Sequence, residues 1–126
     1  MQSVDIARAA AFASAGNAFE ICAKDTSKID HKNTYLKIGA QCYHDGGHIL
    51  RAAEIYHQGG WVLEAVTLFH ELRRFDDIFA ILTRSEPAVR SAIPTSIRDD
   101  TRLHYISNKD YRYIFEFKFR QSHTGP

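Results

Sequence analysis

Apolar positions fall three and four apart along most of the chain, the spacing that lines them up on one face of a helix. Ile6, Ala10, Phe12 or Ala13, Phe19 and Cys22 make a first stripe, which ends before the polar run KDTSKIDHKN at 24–33. Gly16 lies inside that stripe. It is a candidate break that would split the helix in two, since glycine disfavours a helix interior by about 1 kcal/mol. Tyr35, Ile38, Cys42 and Tyr43 make a second stripe. Ile49, Leu50, Ala52, Ala53, Ile55 and Tyr56 make a third, which Gly59 and Gly60 stop, because glycine readily takes the left-handed conformation that ends helices. Trp61 opens the next, with Leu63, Ala65, Val66, Leu68 and Phe69. The run RRFDD turns the chain again before Ile78, Phe79, Ile81 and Leu82. Pro87 and Pro94 suit the first turns of two short helices, with Ser85 and either Ile93 or Thr95 near their boundaries.

These stripes repeat. YHDGGHILRA from Tyr43 and YHQGGWVLEA from Tyr56 share Tyr, Gly-Gly, Leu and Ala at an offset of 13 residues. A third segment, VTLFHELRRFDDI from Val66, keeps the register. One column is aromatic (Tyr43, Tyr56, Phe69), and three positions later stand Gly46, Gly59 and Leu72. A fourth copy, RLHYISNKDYRYIFEF from Arg102, matches the segment from Val66 at an offset of 36. It lays Tyr105 on Phe69, Asn108 on Leu72, Tyr111 on Phe75, Ile114 on Ile78 and Phe115 on Phe79. Each copy reads as one short helix and a turn. A helix of about 11 residues is marginal alone. Small residues such as Ala53 and Ala65 let a neighbour approach, and the aromatics fill the space between. Connections of two to four residues make consecutive helices antiparallel neighbours.

The C-terminal stretch DYRYIFEFKFR pulls two ways. Tyr111, Tyr113, Phe115, Phe117 and Phe119 alternate as on one face of a strand. The repeat register makes the same residues a helix, and we follow the register because it matches both the turn and the apolar positions. The expected organisation is a single helical domain over residues 1–120 and a disordered tail at 121–126.

Composition changes little. A chain of 126 residues with 44% apolar and 25% charged residues can bury a core. Its net charge is only +1, split as −2 over residues 1–72 and +3 over 73–126, so no strong field draws it to nucleic acid. No apolar run has the roughly 18 residues of a membrane span, and no membrane partner is expected. The N-terminus, with an early Asp5 and no basic segment before an apolar one, is a poor signal peptide. Cys22 and Cys42 form no paired motif and sit in helical stripes. They read as buried reduced thiols of an intracellular protein, cytoplasmic or nuclear.

The segment from Ala52 to Leu82 resembles tetratricopeptide-like (TPR-like) repeats, in its A-x-x-Y-x-x-x-G and E-A-x-x-L-F spacings. A narrower resemblance runs from Ala18 to Tyr56. The Cys22 run, then Cys42-Tyr43 with Gly46-Gly47, then Ala52-Ala53 with Tyr56, is similar to the helical region of large fungal relatives of the TPR and ankyrin repeat-containing protein 1. Those relatives carry a UvrD-like helicase core. The resemblance would cover roughly residues 9–115, and it implies a helical accessory segment whose helicase chemistry lies elsewhere. Neither DGGH nor QGGW is followed by the Lys-Ser/Thr that cradles phosphate and holds magnesium.

Candidate chemistry is sparse. His44, His57 and His70 share a repeat column and His48 is nearby. Zinc needs its ligands about 2 Å from one point, whereas equivalent positions on neighbouring helices stand about 8–10 Å apart. Cys42 and His44 are two residues apart, which do not face each other on a helix. Asp76 and Asp77 follow a turn, where acidic residues favour the start of a helix. Basic residues such as Arg73, Arg74, Arg102 and Arg112 accompany Tyr105, Tyr111 and Tyr113, a combination that single strands use. Asp99, Asp100, Asp110 and Glu116 interleave with them.

The expectation is therefore an all-α protein, a TPR-like, right-handed α-solenoid of about seven short antiparallel helices, without catalytic residues, metal or cofactor. It would serve a protein partner or a neighbouring domain. Its structural repeat positions are Tyr43, Gly46, Ala53, Tyr56, Gly59, Trp61, Ala65, Phe69, Leu72, Phe75, Phe79, Tyr105 and Tyr111. Arg73, Arg74, Arg102 and Arg112 are the candidate contacts for a partner or for nucleic acid, and the C-terminal aromatics are a candidate oligomer contact.

Overall fold

The structure is a computed structural model that describes residues 2–110, with side chains from residue 5 onward. The expectations for Tyr111, Arg112, the 111–120 segment and the 121–126 tail lie outside the described residues. Within them the chain is all-helical: α1 (Gln2–Asp25), α2 (Ile29–Asp45), α3 (Ile49–Gln58), α4 (Val62–Glu71), α5 (Phe75–Arg84), α6 (Pro87–Ala92) and α7 (Thr95–Ser107). No strand occurs among the described residues.

The described residues form two compact units that divide after Leu68. In the first, α1 packs on α2 and α2 on α3. The contacts between α1 and α2 fix their antiparallel sense: Gly16 lies against the Tyr43 ring, Gly39 against Phe19, and Gly46 against Phe12. Leu36, Ala40, Tyr43, Ala52, Ala53, Ile55, Tyr56, Ala65, Val66 and Leu68 are buried here. In the second unit α5 packs on α7, and Phe69, Phe75, Ile78, Ile81, Leu82, Ile93, Ile97 and Tyr105 are buried. Fully burying one side chain such as Ile55 or Ile78 contributes about 1.5–3 kcal/mol. Such burial, more than propensity, holds helices of 10 residues.

Two expectations need correction. Gly16 does not divide the first helix, because α1 is continuous from Gln2 to Asp25. Gly16 is buried, and a Cβ built there would lie 2.7–2.9 Å from three atoms of the Tyr43 ring, so the missing side chain is space for that ring. The cysteines are not both buried: Cys22 is exposed and Cys42 half-buried, both as free thiols. The buried line of α1 runs through Gly16, Glu20 and Ala23, which leaves Cys22, one residue before Ala23, on the outside.

The repeat register has a backbone cause. Among the described residues, four have positive φ: Gly47 (84°), Gly60 (82°), Arg73 (58°) and Lys109 (55°). They follow Gly46, Gly59, Leu72 and Asn108, so they keep the offsets of 13, 13 and 36. At each, the same pair of hydrogen bonds closes the helix. The amide five residues after the aromatic donates back to the aromatic's carbonyl: His48 to Tyr43 (2.8 Å), Trp61 to Tyr56 (2.9 Å), Arg74 to Phe69 (2.9 Å) and Asp110 to Tyr105 (2.8 Å). The left-handed residue's own amide donates to His44, His57, His70 or Ile106, at 3.0–3.1 Å. These bonds satisfy carbonyls that a helix end leaves without partners. His48, Trp61 and Arg74 then begin the next helix, accepting the amides of Ala52, Ala65 and Ile78 at 3.0, 3.0 and 3.3 Å. One residue thus ends one helix and starts another.

The chain leaves α5 and α6 differently. Ser85 and Ile93 take extended backbone, with ψ of 151° and 130°, and Pro87 and Pro94 follow. Pro87 stands in the first turn of α6, as the sequence suggests, whereas Pro94 is the residue immediately before α7 and not part of its first turn. Proline lacks an amide proton and holds φ near the helical value, so both places suit it.

Candidate functional site

Of the described repeat positions, Tyr43, Ala53, Tyr56, Gly59, Ala65, Phe69, Phe75 and Tyr105 are buried. Tyr43, Tyr56, Phe69 and Tyr105 all supply the carbonyl that the turn closes on, and all four are buried. Ala53 and Ala65 are fully buried where helices approach. Gly46 and Gly59 end their helices at φ −85°. Leu72 is exposed. Trp61 donates its indole N–H to the Asn33 carbonyl at 3.0 Å, tying its turn to the first turns of α2, and the Lys37 ammonium lies 4.1 Å from its ring centre. Phe75 opens α5 and stacks on His104 with centroids 4.6 Å apart, while Phe79 packs against Tyr105 at 4.9 Å.

Side-chain chemistry gathers at two places. In the first unit, α1, α2 and α3 each give one residue to a polar cluster. Glu20 is buried although it is a carboxylate. Tyr43 donates its hydroxyl to Glu20 Oε2 at 2.5 Å, and Arg51 donates Nη2 to Oε1. Burial pushes the Tyr43 phenol above its ordinary range, the hydrogen bond and charge of Glu20 push the same way, and Arg51 opposes them in part. Both Glu20 oxygens are engaged. The cluster ties three helices together through one buried carboxylate, with the Arg51 side chain reaching it from the exposed side.

In the second unit, His70 Nε2 is 2.7 Å from Asp100 Oδ2, and Arg73 Nη1 is 3.8 Å from the same oxygen. Tyr105 donates its hydroxyl to Asp76 Oδ1. Phe75 packs edge-on to His70 and face-on to His104. A His–Asp pair is two parts of a nucleophilic triad. Among the described residues, the hydroxyl next to this pair in the chain, that of Thr101, is buried and donates to the Ile97 carbonyl at 2.8 Å.

Among the described residues, the candidate contact arginines sit beside acids. Arg73 has Asp100, Arg74 donates Nε to Asp77 at 2.8 Å, and Arg102 Nη2 is 3.9 Å from Asp99. A carboxylate beside each cation lowers the positive potential that a phosphate backbone would meet. The histidines of the repeat column do not converge. His44 and His57 are exposed, His70 faces Asp100, and His48 Nε2 lies 3.1 Å from the Ala9 carbonyl. Among the described residues no three His, Cys, Asp or Glu side chains are grouped to hold a metal, and no helix is long and apolar enough to cross a membrane.

Sequence reasoning missed Glu20, Arg51 and the His70–Asp100 pair. Only Glu20 left a signal: it stands at helical spacing between Gly16 and Ala23, a lone carboxylate in a line of small residues. Its partners are 23 and 31 residues away, and nothing local announces them. Compared with known proteins, the chain matches no protein-family model, no curated protein and no solved structure.

Proposed function

We propose that the chain is a non-catalytic helical-repeat scaffold, a TPR-like α-solenoid that presents helix surfaces to a protein partner or to a neighbouring domain inside a cell. The observation that carries this reading is the single turn used four times, after α2, α3, α4 and α7, with the same hydrogen bonds and a left-handed residue at the same position. A solenoid needs a constant step from one helix to the next, and a repeated turn supplies one. The two polar clusters support the reading from the chemical side, since their carboxylates are engaged in holding helices together. The test is capture on the immobilised chain, followed by reconstitution with the purified candidate partner and hydrogen exchange of the complex. The expected result is a saturable complex that protects one contiguous set of helix faces. Failure to retain any specific protein, or turnover of a substrate by the chain alone, would overturn the reading.

A second reading, an accessory helical segment of a UvrD-like helicase, draws on the resemblance over residues 18–56 and on Arg73. That side chain is 69% exposed at a turn, with its guanidinium 5.9 Å from the Phe75 ring centre. Salt-sensitive binding of single-stranded oligonucleotide at micromolar protein, weakened in Arg73→Ala, would favour it. Unchanged anisotropy over that range would remove it as a property of this chain.

A further inference from the structure

We draw no further inference here: the strongest candidate, the uncharged outer face of α1 where Ile6 and Ile21 are exposed with Ala10, Ser14 and Asn17 between them, is an unpartnered helix face, and nothing in the structure shows what covers it.

Discussion

At the scale of single residues, the four left-handed positions are chemically unequal although their geometry is shared. Gly47 and Gly60 take positive φ without strain, and a Cβ added at either would meet nothing within 4 Å. Arg73 and Lys109 take nearly the same conformation with a side chain attached, and an L-residue there costs about 1–2 kcal/mol. Opposite substitutions should therefore have opposite signs. Gly60→Ala is expected to lower stability by about 1 kcal/mol, and Lys109→Gly to raise it by about 0.5–1 kcal/mol after glycine's extra chain entropy is subtracted. Urea unfolding of both variants checks this, and a shift of the same sign in both would contradict it. The buried phenols give a second residue-scale expectation. Burial raises Tyr43, with Glu20 adding to it, and burial raises Tyr56, with Glu64 and Asp45 adding. A phenol whose pKa is raised on folding contributes stability that is full below its unfolded pKa, about 10, and is lost as pH rises through the folded value. Thermal melts of the chain should hold steady as pH approaches 10 on these groups' account and fall above it. Tyr43→Phe and Tyr56→Phe should each flatten the alkaline fall.

At the scale of elements, helix positions were largely legible because a 3.6-residue period, paired glycines and prolines mark them locally. The turns were legible because each is spelled within six consecutive residues, from the aromatic to the residue whose amide closes the turn. Even Arg73 and Lys109, which no propensity would place in a left-handed turn, fall in register with Gly47 and Gly60. What depended on distant partners was not legible. Gly16 reads as a helix breaker until the Tyr43 ring is placed over it, and Glu20 reads as a surface charge until Tyr43 and Arg51 meet it. These two residues lie four apart and serve one aromatic, so the ring cannot easily yield: Glu20 holds its hydroxyl while Gly16 makes room for its face. Gly16→Ala would gain about 1 kcal/mol in an isolated helix. In this protein it should instead lose about 1–3 kcal/mol, as an overpacked core position does. A calorimetric or urea measurement giving a net gain would show that α1 and α2 are not packed as closely as described.

At the scale of the whole molecule, two compact units are built with a common turn. Three of its four occurrences follow at intervals of 13 residues, and the fourth after 36, beyond the two proline-bounded connections. If helix and turn form a true repeat, the chain should accept more of it, because each repeat of a solenoid contacts only its neighbours. Two repeats together restore the direction of the chain, so the natural insert is the 26-residue stretch from Ala40 to Ala65, placed in tandem directly after Ala65. The measurement is urea unfolding of the extended protein, followed by circular dichroism beside the parent chain. The expected result is greater helical signal in proportion to the added residues, a cooperative transition, and a steeper dependence on urea as more surface is buried. An extended protein that loses its cooperative transition, or gains no helix, would contradict the reading of this chain as one helix and one turn written several times.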